Sequence, residues 1–213
     1  MIYKKEEIIK VFSNQVKSLY GKSIEINEVI DETIKKVDVV FSASSNKYYK
    51  EDREFSVFNS VQYCIFLYIL SKNLLEKGDY EGADIVYCLN KALNSIDLYH
   101  GIDLPKIFGF EHPLGTVVGR AKFNGDYLFL YQGCTIGGSN GKYPVLENHI
   151  TMFSDSKILG KAHIGEFVIL GANAVIIDED IPSYSLVFGQ SPNLIVKRRT
   201  KEEMAERFKQ FWK

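Results

Sequence analysis

His112 is the residue in this chain best placed to move a proton, and its surroundings in sequence suggest what for. Asp97 stands fifteen residues before it, Glu111 directly before it, and the pair Gly137-Gly138 lies downstream. An imidazole titrates near neutrality, so it can take a proton from a hydroxyl as the oxygen attacks. A carboxylate at its far nitrogen enforces the tautomer that presents a lone pair to that proton. A glycine-rich stretch such as 137–141 can offer backbone N–H groups to an oxyanion. A histidine alone carries little weight, because isolated histidines are more often structural. Its assignment depends on the elements that would position it.

Those elements change character near residue 100. All five prolines and thirteen of the sixteen glycines lie after that point. A stretch that avoids both is usually helical, and one rich in them turns often. Four helices are expected in the first region. Lys4 to Tyr20 carries Ile8, Val11, Phe12, Val16 and Leu19 at helical spacing and closes at Gly21. Asn27 is placed to cap a second helix reaching Phe41, with a turn at 42–46. Ser56 to Glu76 reads as the most apolar helix, and Glu81 to Ser95 as the fourth.

The second region has a period of six. Leu146, Met152, Ile158, Ile164, Leu170 and Ile176 form one series, and Ser156, Ala162, Val168 and Ala174 a second series of small or β-branched residues. Neither a helix nor an ordinary strand has this period. Three six-residue sides per turn make a triangular β-helix, with one apolar residue per side pointing inward and stacked coils burying a continuous core. Val118, Leu130 and Ile136 keep the phase upstream, while Asn124 occupies one slot. Ten residues separate Ile136 from Leu146, so 137–144 contains an extruded loop. Thr200 and Glu203 form a capping-box pattern for a short final helix.

The expected class is therefore α+β: an N-terminal helical domain over 1–96 for packing or oligomerisation, a β-helix domain over 97–199, and a C-terminal helix over 200–213. A net charge of −1 over 213 residues argues against a duplex nucleic-acid binder. Three cysteines without CxxC spacing indicate neither a disulfide framework nor a zinc site, and no metal is expected. The longest apolar run is too short to span a bilayer and no signal-like segment opens the chain, so a cytoplasmic setting is expected. Cys134 falls in an interior repeat slot, which argues against its acting as a nucleophile.

The second half resembles the serine acetyltransferase branch of the hexapeptide-repeat, left-handed β-helix acyltransferases. The resemblance rests on the Asp97/His112 spacing, HPLGTVVG, QGCTIGG at 132–138, KILGKAHIG, VILGANAVI and VFGQSPNLIV, and covers about 97–197. It implies a left-handed β-helix and acetyl transfer from acetyl-CoA to a hydroxyl of a small acceptor such as serine. It places the catalytic histidine on His112, its partner on Asp97, and an acceptor-side acid on Glu111. Acetyl-CoA would run along Gly137, Gly138, Ser154 and Ala172 and end near the exit stretch. Lys197 and Arg198 could meet its phosphates, or form a solvated basic turn. A homotrimer is implied, with a dimer of trimers left open.

The chain also departs from that branch. Lys142-Tyr143-Pro144 stands where the branch has Arg-His-Pro, no Asp-Pro is found in the helical region, and that region is short. Lys142 and Tyr143 are the candidate acceptor contacts, with an exposed polar loop tip as the plainer alternative. The chain ends Phe-Trp-Lys and lacks the isoleucine used to dock cysteine synthase, so no such docking is expected. These departures motivate a second reading, an O- or N-acetyltransferase acting on a sugar or nucleotide sugar of a surface polysaccharide.

Overall fold

The computed structural model describes residues 1–49 and 52–213. The chain divides into two compact units, Met1–Gly101 and Ile102–Lys213. The first contains helices α1 (Lys5–Tyr20), α2 (Ile30–Ala43), α3 (Ser60–Glu76) and α4 (Tyr80–Asn94), then the short strand β1 (Asp97–Leu98). In α1 the stripe Ile8, Phe12 and Val16 is buried, while Leu19 at its end is 52% exposed. Gly21 closes the helix in the left-handed conformation, which costs a glycine nothing.

Sequence reading misplaced two helix starts. Asn27 does not cap α2; its amide donates to Glu25, and the helix begins at Ile30 with no side-chain cap. Ser42 and Ala43, read as a turn, continue that helix. Helix α3 begins at Ser60 because the Asn59 side chain accepts from the Val61 and Gln62 N–H groups, satisfying donors a helix start leaves free. It is apolar almost all round and packs against both α2 and α4, so it is the core of its unit.

The second unit is a left-handed parallel β-helix of about five turns. Its strands are β2 (Ile107–Glu111), β3 (Val117–Val118), β4 (Lys122–Phe123), β5 (Tyr127–Tyr131), β6 (Thr135–Gly137), β7 (Val145–Leu146), β8 (Ile150–Met152), β9 (Lys157–Leu159), β10 (His163–Ile164), β11 (Val168–Leu170), β12 (Val175–Ile177), β13 (Ser185–Phe188) and β14 (Ile195–Arg198). They stack into three faces, containing β3-β6-β9-β12, β4-β7-β10 and β2-β5-β8-β11-β13. β14 adds to the last as an antiparallel partner of β13. Helix α5 (Lys201–Phe208) follows, with the Thr200/Glu203 capping box formed in both directions.

The period of six is the interior register. Leu146, Met152, Ile158, Ile164, Leu170 and Ile176 are all buried, as are Ser156, Ala162, Val168 and Ala174. The worn slot is filled differently from the sequence expectation. Phe123, not Asn124, pairs with Leu146, and Asn124 is exposed, its amide on Glu147. The array slips by one residue there to keep an apolar group inward.

Corners repeat as well. Asp155 and Asn173, Gly160 and Asp178, and His149 and Phe167 are pairs eighteen residues apart, all with positive φ. Asn, Asp and Gly tolerate this conformation; Phe does not readily. Here Tyr127, His149, Phe167 and Tyr184 stack in a column, each ring supporting the next. Phe208 of α5 meets His149 and Phe167 edge-on, and Phe211 and Trp212 cover Phe129. The C-terminal segment thereby covers the β2-β5-β8-β11-β13 face.

Candidate active site

His112 follows β2 at a corner of the β-helix. Its φ of 51° is left-handed, a conformation that is enriched for histidine and that clusters at functional sites in non-glycine residues. The Thr116 N–H bonds the Pro113 carbonyl, and the Thr116 hydroxyl bonds the Tyr131 carbonyl, so the turn after His112 is tied to the next coil. The imidazole is 72% exposed, and its Nε2 lies 3.6 Å from Glu111 Oε1. A base in this position can meet a ligand, with a carboxylate beside it.

Asp97 belongs to the first unit, on β1. Tyr87 donates its hydroxyl to Oδ1 and Lys91 its ammonium to Oδ2, each at 2.6 Å. Burial alone would raise this carboxyl, but the Lys91 and Tyr87 hydrogen bonds outweigh it and hold the group below its usual range. Tyr87 and Lys91 were not singled out from sequence. Their only signal was their spacing of four on α4, which puts both on one helix face.

The candidate cofactor residues all lie in the second unit. Asn173 donates its N–H to the Ser154 carbonyl, so Ser154 and Ala172 occupy one corner row on successive coils. Gly133 donates to the Leu114 carbonyl, which brings the segment after His112 onto the same corner. Gly137 lies across the β3-β6-β9-β12 face, and no atom lies within 4 Å of a Cβ built there. Gly138 differs. A Cβ there would stand 2.5 Å from the Tyr143 ring and 2.7 Å from the Lys142 carbonyl, so the loop's own packing requires glycine. Lys197 and Arg198 are exposed on β14, with Lys197 over the Phe188 ring at 5.5 Å.

The extruded loop is a small hairpin. Ser139 and Lys142 exchange both backbone hydrogen bonds, and Asn140 and Gly141 both have positive φ. That is the geometry Asn-Gly favours. Tyr143 rests against Gly138, and the Arg120 guanidinium sits over its ring at 4.7 Å. Tyr143 is thus less free to meet an acceptor, or to stack on a sugar ring, than an exposed loop tip would be. Arg120 went unnoticed in the sequence, because nothing local distinguishes it from a surface cation.

His112 and this loop sit at opposite ends of the β3-β6-β9-β12 face. Between His112 and Arg120 the chain makes the turn at 113–116 and then runs through β3. One chain therefore brings together Glu111 with His112, and Gly138 with Tyr143 and Arg120, but does not bring the loop to the histidine.

The other histidines have separate roles. His100 lies in the turn after β1 and is 3% exposed, with Nε2 2.9 Å from Asp84. His149 is part of the aromatic column, and His163 pairs with Glu147 at 3.0 Å. The Cys134 thiol is buried within reach of the Met152 and Phe153 carbonyls and Ser156, and burial pushes its pKa up. Among the described residues, no helix is long and apolar enough to cross a membrane, and no group of three His, Cys, Asp or Glu could hold a metal ion.

No family model matches the chain. Over 105 residues it is 34% identical to a serine acetyltransferase of Synechococcus elongatus, covering 47% of this chain and 43% of that protein. Over 140 residues it is 30% identical to one of Staphylococcus epidermidis, covering 64% and 65% respectively. The matches thus span less than two thirds of these relatives' own length. Among solved structures, Neisseria gonorrhoeae serine acetyltransferase in complex with serine matches with a TM-score of 0.67 at 21% identity, covering 89% of this chain and 83% of that one. A serine acetyltransferase in complex with CoA matches with a TM-score of 0.66 at 18% identity, covering 87% and 81%. The fold is shared with these proteins.

Proposed function

We propose that this chain is an acetyl-CoA-dependent acyltransferase of the serine acetyltransferase type, with His112 as general base and Asp97 as the carboxylate that holds its tautomer. One observation carries the reading. An exposed histidine sits at a left-handed β-helix corner beside a carboxylate, in a chain similar to serine acetyltransferases in both sequence and fold. Asp97 suits the partner's role because a carboxylate has about four lone-pair sites, and Tyr87 and Lys91 use two of them.

In the reaction, the acceptor oxygen attacks the thioester carbonyl carbon while His112 takes the hydroxyl proton. Backbone N–H groups around Gly137 and Gly138 stabilise the tetrahedral oxyanion. The C–S bond then breaks, and the imidazolium returns the proton to the departing thiolate. Ser154 and Ala172 line the corner along which the CoA arm runs, and the open surface at Gly137 suits close approach of a ligand. Lys197 and Arg198 serve its phosphates. Cys134 takes no acyl group, being buried with a raised pKa. Its burial and the free state of all three cysteines fit a reducing, cytoplasmic setting.

A homotrimer follows from the same reading. His112 and the acceptor loop lie at opposite edges of one face, so the site is completed between neighbouring copies. Exposed Val117 and Ile177 on that face suit such packing, while α5 covers another. The second reading, a sugar or nucleotide-sugar acceptor, rests on the departures of the acceptor loop from the branch's Arg-His-Pro, with exposed Lys142 the residue still free to meet such an acceptor. The test is thiol release from acetyl-CoA with L-serine, homoserine, and amino and neutral nucleotide sugars, His112→Ala running alongside. Turnover lost in the variant is expected. Undiminished turnover in His112→Ala would overturn the mechanism, and turnover with L-serine but no sugar would remove the second reading.

A further inference from the structure

A phenol beside the Glu111–His112 pair is fixed in place with its hydroxyl unbonded. Glu111 and Tyr131 are direct partners in the pairing of β2 with β5, so their side chains leave the same side of the sheet, about 4.8 Å apart at the backbone. Glu111 in turn lies 3.6 Å from His112 Nε2. The Tyr131 ring stacks on Phe153 at 4.6 Å and meets Phe129 edge-on at 5.6 Å, and Phe211 packs against both of those rings. The Tyr131 carbonyl accepts from the Thr116 hydroxyl, which ties this backbone to the turn after His112. Ring and backbone are therefore held. Tyr3, Tyr63, Tyr87 and Tyr184 each donate to a side chain. The half-buried Tyr131 has no partner for its hydroxyl among the described residues, and that oxygen is accessible. Burial, and then the Glu111 charge, raises its pKa, so it is a neutral phenol. Glu111 has no Lys or Arg to balance it; His112 is its ion-pair partner among the described residues.

We propose that Tyr131 is a specificity-determining residue of the acceptor site, its hydroxyl oxygen and the Glu111 carboxylate together taking the ammonium of an amino-alcohol acceptor whose hydroxyl faces His112. This assignment rests on the acyl-transfer reading above and deepens it. Three hydrogen-bond acceptors occupy one patch of a single chain: the imidazole lone pair, the carboxylate and the phenol oxygen. An ammonium offers three donors and an alcohol one. An amino alcohol therefore supplies the complement. Its alcohol proton goes to the imidazole, and its ammonium bridges Glu111 and Tyr131. A neutral acceptor leaves the carboxylate without a counter-charge, and an anionic group placed here would meet Glu111 with like charge. The stack on Phe153 pre-sets the phenol, so little rotamer freedom is lost when the acceptor arrives. Holding the ammonium at two points also fixes the direction of the attacking oxygen.

The experiment is thiol release from acetyl-CoA by the full chain, with each substrate varied in turn and the acceptors of the panel above. The variants are Tyr131→Phe, Glu111→Gln and the two combined. Tyr131→Phe keeps the stacked ring and removes only the hydroxyl, so it should melt with the parent. Its KM for L-serine or homoserine is expected to rise roughly tenfold, the low end for losing a hydrogen bond to a charged group, with kcat and the KM for acetyl-CoA little changed. In the Glu111→Gln background the same substitution should raise the acceptor KM by clearly less, because both residues hold one group. The assignment is overturned if Tyr131→Phe leaves the acceptor KM unchanged, if its loss falls on kcat or on acetyl-CoA alone, or if the two substitutions act independently. It is also overturned if the parent turns over neutral nucleotide sugars but no amine-bearing acceptor, a result that leaves the acyl-transfer reading standing. No thiol release by the parent with any acceptor would remove both.

Discussion

Gly137 and Gly138 are adjacent, yet alanine should act on them in opposite ways. At Gly138 the added Cβ would stand 2.5 Å and 2.6 Å from two Tyr143 ring carbons and 2.7 Å from the Lys142 carbonyl oxygen. Carbon atoms prefer separations of about 3.5–4.0 Å, so the ring must retreat by about 1 Å. The carbonyl is backbone in a two-residue hairpin and yields less readily. Overpacking of this kind costs about 1–3 kcal/mol in a closed core. Because Tyr143 is 41% exposed and can move outward, the cost belongs near the low end, about 1 kcal/mol, or about 2–4 °C in Tm for a chain of this size. The larger effect is on the acceptor. A displacement of about 1 Å in a positioning group can cost on the order of a hundredfold in rate, and Arg120 moves with the ring. At Gly137 nothing lies within 4 Å of the new Cβ and φ is not positive, so Gly137→Ala should melt with the parent chain. Its effect should fall on the KM for acetyl-CoA. The assay is thiol release with each substrate varied in turn, beside a thermal melt. Equal acceptor kinetics and equal Tm for Gly138→Ala and the parent would refute the assignment of Tyr143 and Arg120 to the acceptor side.

Three further outcomes are expected. Burial lowers the His149 pKa from its ordinary 6.5, outweighing the pull of Glu166 and Asp126. The unfolded chain therefore binds more protons below about pH 6.5, and stability should fall as pH drops through that value, a dependence reduced in His149→Gln and read from pH-resolved denaturant melts. Cys134→Ala should retain thiol release, and the native thiol should resist alkylation until the chain unfolds; a trapped acetyl-Cys134 would contradict direct transfer. Ile158→Ala removes a fully buried interior group and should cost about 2–5 kcal/mol, whereas Ile177→Ala, outward on the adjacent position, should cost well under half of that in the isolated chain. Equal losses in urea unfolding would mean that the interior register is wrong.

What the sequence determined by itself was the prism and its inward row. An apolar residue every sixth position is a local constraint, repeated often enough to survive the slip at Phe123 and the four-residue excess before Leu146. Gly21, the Thr200/Glu203 box and the position of Cys134 were legible for the same reason, since each is decided by a few neighbouring residues. Helix starts were less so, because Asn27 and Asn59 offer the same side chain and only packing chose between them. What tertiary structure alone decided involves residues distant in the chain. The column Tyr127, His149, Phe167 and Tyr184 needs successive coils in register before any ring has a neighbour. The burial of His100 depends on Asp84 across the helical unit, and the two donors on Asp97 depend on the turn after α4. Arg120 meets Tyr143 only because β4 pairs with β7 and the intervening loop folds back as a hairpin. Side-chain chemistry is written in sequence, but contacts across coils are set by register, which accumulates over the whole array and cannot be read at any one residue.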